Sequence, residues 1–186
     1  MHGLFFDVRP KPGHMPRYFE HVDRLKPILA AHEGMLELER FCPLDDPEAL
    51  LSHQIWRSDA DIARWRSDST HRASQAAGQR LHFEGYRIRV GPVLSEGAAA
   101  PPQTDGGRYL VAAYGTEALD TGRAYASITN EGRFLTLTET QNGEEMRAAY
   151  AAAAAVGTRR LFEIARDYTM KDRAEAPQKA ATRAGA

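Results

Sequence analysis

The chain has 186 residues, with 24 Lys and Arg against 25 Asp and Glu, a formal net charge of −1 and a single cysteine. A chain of this length buries roughly 70% of its unfolded surface and needs no staple. Its near-neutral charge gives no bulk attraction for phosphate backbones or anionic lipid, so neither nucleic acid nor membrane is an expected partner. The lone Cys42 excludes an internal disulfide and any CxxC metal or redox site. The opening MHGLFFDVRPKPG has too short an apolar run for a signal peptide or a span, and a soluble cytoplasmic protein is the expectation.

Gly3–Arg9 reads as a strand stopped by the loop Pro10–Gly13. Pro16 suits a first helical turn, and Tyr18, Val22, Leu25 and Leu29 form an amphipathic stripe that Pro27 should kink. Met35–Phe41 alternates as a strand, with Leu36, Leu38 and Arg40 on one side. Leu50–Trp56 is the next strand, and Ser58 caps a short helix with Asp61 as a capping-box partner. A second helix, capped by Ser69 or Thr70, runs to about Phe83, and Tyr86–Val90 (YRIRV) closes the unit as a strand. The order is βαββαβ, the ferredoxin-like split pattern.

Residues 95–107, with an alanine run and Pro101-Pro102, read as a linker between a first half (1–94) and a second (108–177). In the second half Tyr109–Tyr114 and Phe134–Thr138 read as strands, Glu144–Ala155 as an alanine-rich helix and Thr158–Asp167 as a closing strand. The long first helix has no counterpart, so this half is trimmed, and 178–186 reads as a fraying tail. An internal echo supports the division. RFCPLDDPEALLSHQIWRSDADIARW (Arg40–Trp65) aligns with AYASITNEGRFLTLTETQNGEEMRAA (Ala124–Ala149), setting Phe41 on Tyr125 and Leu51 on Leu135. Repeated units of this size pack so that each buries what the other cannot. The copies diverge at Trp56, which falls on Thr140, and at Trp65, which falls on Ala149 or, after one insertion, on Tyr150, so the first half is the better candidate for a site.

Within that half, Ser52 and Trp56 share one strand face, and Ile62 and Trp65 stand at i, i+3 on a helix. Both tryptophans could equally be plain core. His71, Gln75, Gly78 and His82 form a polar helical stripe opposite Ala73, Ala77 and Leu81. The alanine side is expected to pack and the histidine stripe to be solvated, yet His71 is the best-placed group for proton transfer. His53 points to the other strand face, where a satisfied buried histidine is expected. No HExxH, GxGxxG, P-loop or GxSxG occurs, so no metal, nucleotide cofactor or serine hydrolysis is expected.

The run Leu50–Val90, with NEGRFLTL (Asn130–Leu137) and RDYTMKDRAEAP (Arg166–Pro177), resembles the antibiotic biosynthesis monooxygenase family. The resemblance implies an α+β fold in which two ferredoxin-like sheets form a shared barrel, normally across a dimer, each half holding a pocket between helices and sheet. In a tandem chain the second copy can play the partner, although a further homodimer is possible. It also implies that the terminal arm reaches across to the other half. Some members oxidise polycyclic phenols with O2 and no metal or flavin; others bind and degrade haem. The aromatic-polyketide enzymes have a Trp matching Trp56, and their Asn and Tyr fall here on Ser52 and Ile62. The haem degraders have a Trp matching Trp65, and their His and Asn fall near Gln75 and Asp7.

The reading is therefore an oxygenase acting on a small aromatic or polycyclic ligand without a cofactor. Trp56, Trp65 and His71 form its catalytic set, and Asp7, Ser52, Ile62 and Gln75 contact the substrate. Haem chemistry is one alternative. A non-catalytic ligand-binding or assembly module is the other, favoured if Trp56 and Trp65 pack together and leave no cavity.

Overall fold

A computed structural model describes residues 1–177. Strand β1 (His2–Pro10) leads into helix α1 (Met15–Ala30), then β2 (Met35–Pro43) and β3 (Leu50–Trp56), helices α2 (Asp59–Ser67) and α3 (Ser69–Ala77), and β4 (Phe83–Glu96). The second half supplies β5 (Gly106–Gly115), β6 (Arg123–Ser127), β7 (Phe134–Asn142), α4 (Gly143–Ala152), β8 (Gly157–Glu163) and β9 (Arg166–Thr169). All pairings are antiparallel, in the order β1-β3-β2-β6-β7-β5-β8-β4-β9, and a further β1–β4 pairing closes the sheet on itself. The result is an α+β barrel made by one chain, in which the second half stands where a partner would. Closure gives each of β1 to β8 at least two neighbours, although β2 meets β6 only over Phe41–Pro43.

The repeat is visible in the packing. Phe41 and Tyr125, and Leu51 and Leu135, are buried together in the barrel interior with Phe5, Leu110 and Phe162. The caps repeat as well: Ser58 Oγ accepts the Asp61 N–H at 3.2 Å, and Asn142 Oδ1 accepts the Glu145 N–H at 2.9 Å. Outside the barrel, α1, α2 and α3 cover the first half. Under α4, Tyr109, Met146, Tyr150 and Leu161 fill the corresponding space.

Several expectations are corrected. Helix α3 is capped by Asp68 rather than Ser69 or Thr70, because its carboxylate accepts the His71 N–H at 2.8 Å. The helix does extend to His82, as expected, but its last five residues, Gly78–His82, widen into a π turn. Strand β4 runs past Gly91-Pro92 to Glu96, because its first part pairs with β1 and its last with β8. Thr158–Asp167 is two strands: the chain breaks at Ile164-Ala165, leaving β5 to pair with β4. The terminal arm thus joins the first half through β9, and the Arg166–Asp59 ion pair fixes it there.

Gly91 marks the crossing. A Cβ there would lie 1.6 Å from the Glu163 carbonyl oxygen, a backbone atom that cannot step aside. Gly91→Ala is expected to cost about 1–3 kcal/mol in urea unfolding, as overpacking does. A loss within about 0.5 kcal/mol, the range of neutral surface changes, would show that the crossing is looser than drawn.

Candidate active site

Alternation along the strands sends two sets of side chains in opposite directions. From β1, Phe5 and Asp7 turn into the barrel, while Leu4 and Phe6 turn toward the helices. From β3, His53 turns in, and Ser52, Gln54 and Trp56 turn out. Between the outward set and the helices lies a cavity of about 150 Å³, lined by Leu4, Phe6, Tyr18, Leu25, Leu29, Arg40, Ser52, Gln54, Trp65, His71 and Gln75 among others. The apolar stripe of α1 forms one wall, so the residues that bury that helix also build the site.

Of the seven residues read from the sequence, Ser52, Trp65, His71 and Gln75 meet in this cavity. The other three do not line it. Trp56 is fully buried one layer behind, packed on Trp65 with ring centroids 6.5 Å apart, and it donates Nε1–H to Gln54 Oε1 at 3.0 Å. Ile62 belongs to the same core cluster, anchoring α2 on the sheet. Asp7 faces the barrel interior, where its carboxylate takes Arg89 at 2.6 Å and the Tyr125 hydroxyl at 3.1 Å. It ties the two halves together. The tryptophans do pack, yet the cavity beside Trp65 stands open.

The histidine stripe is also reversed from expectation. His71 and Gln75 face inward, whereas Ala73 is exposed and Leu81 is 57% exposed. The His71 ring stacks on Trp65 with centroids 4.2 Å apart. Its Nδ1 lies 3.0 Å from the Trp65 carbonyl oxygen. A carbonyl only accepts, so Nδ1 carries the proton and Nε2 keeps its lone pair. Burial pushes the His71 pKa below 6.5, while the Trp65 carbonyl and Asp68 pull it partly back. The ring is thus a neutral base near pH 7.

A polar ladder runs along the cavity floor. Gln54 accepts from Trp56 and donates Nε2–H to Ser52 Oγ at 3.1 Å, so the serine keeps its own hydrogen to give. Arg40 stands directly across from Ser52 in the β2–β3 register. His21, also at the cavity, lies 3.3 Å from Ser74 Oγ, and burial lowers its pKa. Arg40, Tyr18, His21 and Gln54 were not picked out from the sequence. Two of them left a trace there: Tyr18 in the stripe of the first helix, and Arg40 as a charge on the side of β2 that also holds Leu36 and Leu38.

Among the described residues no group of three or more His, Cys, Asp or Glu is disposed to hold a metal ion. No described helix is long and apolar enough to cross a membrane.

The fold and site define an α+β barrel protein with an apolar pocket between helices and sheet that holds one buried neutral imidazole. The model of the antibiotic biosynthesis monooxygenase family matches residues 1–77, in the first half of the chain. A curated relative, named jasmonate monooxygenase ABM, from Pyricularia oryzae, is 34% identical over 95 residues, covering 51% of this chain and 44% of that one. The chain therefore spans under half the length of that relative. Among solved structures, an anthrone oxidase-like protein overlaps 95% of this chain and 96% of its own at 14% identity and a TM-score of 0.41. A protein from Pseudomonas aeruginosa overlaps 48% and 89% at 18% identity and a TM-score of 0.43. Overlaps of this quality support no conclusion about chemistry.

Proposed function

We propose that the cavity is the active site of a monooxygenase that uses O2 on a small ring compound with an acidic C–H or O–H, without metal or flavin. The observation that carries this reading is His71: its Nδ1–H is committed to a backbone carbonyl, its Nε2 is free, and apolar surroundings keep it neutral. The match of residues 1–77 to that family's model and the name of the fungal relative support the oxygenase class.

In this reading Nε2 takes a proton from the substrate, leaving an electron-rich carbanion or phenolate. That anion passes one electron to O2, and the two radicals join to form a C–O bond. The peroxide takes back the proton and loses water. A CH2 group becomes a carbonyl, so one CH2 and one O2 give one C=O and one H2O. The protein supplies a base, orientation by Ser52 and Gln75, and exclusion of water by Trp65 and the α1 stripe. A cavity of about 150 Å³ encloses a single ring, as cavities of that size do, and the remainder of a larger ligand would lie in its mouth.

The test is oxygen uptake with anthrone as probe, on protein freed of metals by chelation. Equimolar O2 loss and quinone gain, with no free peroxide, is the expected result. No uptake above the uncatalysed rate would overturn the reading for this class. A hemin titration runs beside it: a Soret band that disappears in His71→Ala would assign the site to haem instead.

A further inference from the structure

The cavity contains cations and no counter-ion. Arg40 and Lys26 line it, and no aspartate or glutamate does. Four other arginines of the sheet are matched to carboxylates: Arg87 with Asp167 and Glu139, Arg89 with Asp7 and Glu139, Arg160 with Glu37 and Glu96, Arg166 with Asp59. Arg40 takes part in no ion pair among the described residues; it meets the neutral Tyr18 hydroxyl, and its Nε is buried without an acceptor. The neighbouring carboxylate cannot help. Glu39 is on the opposite face of β2, where it accepts from Ser127 and Asn130, each at 2.7 Å, and pairs with Arg133.

A guanidinium whose Nε is buried with no carboxylate to meet it is under-satisfied. Here it persists at the floor of a cavity, beside a second donor. Ser52, opposite Arg40 in register, has its oxygen occupied by Gln54 and its hydroxyl hydrogen left to donate. Two adjacent strand positions thus present donors to one point, and a fork of guanidinium N–H groups matches a planar two-oxygen acceptor.

We infer that the ligand of this cavity carries a carboxylate, held by Arg40 and Ser52 on the floor, with Lys26 at the rim adding attraction. Resting on the reading of this cavity as the active site, the inference names the class of its substrate: ring compounds bearing an acid group, with the ring against Trp65 and the acid on the β2–β3 pair.

The experiment measures binding alone, so it is independent of turnover. Calorimetric titration compares 2-naphthoate with 2-naphthamide, which has the same shape without the charge. The carboxylate is expected to bind about tenfold more tightly or better, the usual gain for a charge-assisted pair. That preference should vanish in Arg40→Gln and survive in part in Arg40→Lys. If Arg40→Gln does not fold, Ser52→Ala serves, with a smaller loss confined to the acid. Equal affinity for the two ligands, binding of neither at millimolar concentration, or a preference untouched by both variants would overturn the inference. Acid-selective binding without oxygen uptake would leave it standing and remove the oxygenase reading instead.

Discussion

Oxygen uptake by His71→Asn is expected to fall by about 10²- to 10⁴-fold in kcat, the usual contribution of a positioned general base. Asparagine is chosen because its amide N–H can still reach the Trp65 carbonyl that Nδ1 now holds at 3.0 Å. The wall of the cavity is then retained and only the base is lost. Ligand affinity, followed by tryptophan fluorescence, should change far less than kcat, by under about tenfold, because the wall stays in place. The pH profile separates this role from a structural one. Burial holds the imidazole below 6.5, and the neutral form is the active one. Activity should therefore rise with pH through a midpoint below 6.5 and be level at neutrality, and the rising limb should be absent in the variant. A midpoint above 6.5, or the same limb in His71→Asn, would place the base elsewhere. His21 is then the next imidazole in the cavity.

How far the sequence could lead is clear from the residues themselves. The repeat was readable because its signals are local. The cap at Ser58, and the pairing of Phe41 with Tyr125 and of Leu51 with Leu135, depend on short stretches of pattern. Ser52, Trp65 and Gln75 came from the family resemblance and His71 from its own chemistry, and all four reach the cavity. What failed depended on long-range pairing. Whether Asp7 faces the helices or the interior is decided by β1 pairing with both β3 and β4. Arg89 and the Tyr125 hydroxyl in the interior then take its carboxylate. The extension of β4 past Gly91-Pro92 needs β8, a strand of the other half, to hold it. Proline and glycine were local stop signals that tertiary pairing overrode. The histidine stripe was misjudged for a related reason. Alanine is compatible with either side of a helix, and only the stacking of His71 on Trp65 decides which side turns in.

The asymmetry of the halves has a matching physical basis. Thr140 and Ala149 stand where the first half has Trp56 and Trp65, and the second half lacks a counterpart of α1. Small residues under α4 let Tyr109, Met146 and Tyr150 close the space. The Tyr150 hydroxyl donates toward Ser95 Oγ at 3.2 Å and the Gly97 carbonyl at 3.1 Å, which fixes the start of the connection between halves. One copy thus keeps a cavity, and the other completes the barrel.

Acid should weaken this barrel through one residue more than any other. His53 is 4% exposed in the interior, stacked on Phe5 at 4.3 Å with its Nε2 2.6 Å from the Tyr114 hydroxyl. Burial keeps that phenol protonated, so it donates and Nε2 accepts. Burial also lowers the His53 pKa from 6.5 to about 3, with Arg160 and Arg89 adding to the effect and Glu37 opposing it. Because the folded pKa is depressed, the unfolded chain binds the extra proton between about 3 and 6.5, and folding loses free energy as pH falls through that window. At about 1.4 kcal/mol per unit, a drop from about pH 7.5 to about pH 4.5 removes roughly 2–3 kcal/mol. His53→Gln keeps an acceptor for Tyr114 and cannot titrate. The variant should be less stable than the parent at neutral pH, by about 1–3 kcal/mol for the imperfectly replaced bond and stack. Its stability should then be flatter toward acid, and the two curves should converge. Urea unfolding of both proteins at the two pH values measures this, and carboxylates common to both cancel in the difference. Parallel losses would mean that the His53 proton is accommodated in the native interior, with Glu37 as its partner, and that acid lability of the barrel arises at its ion pairs.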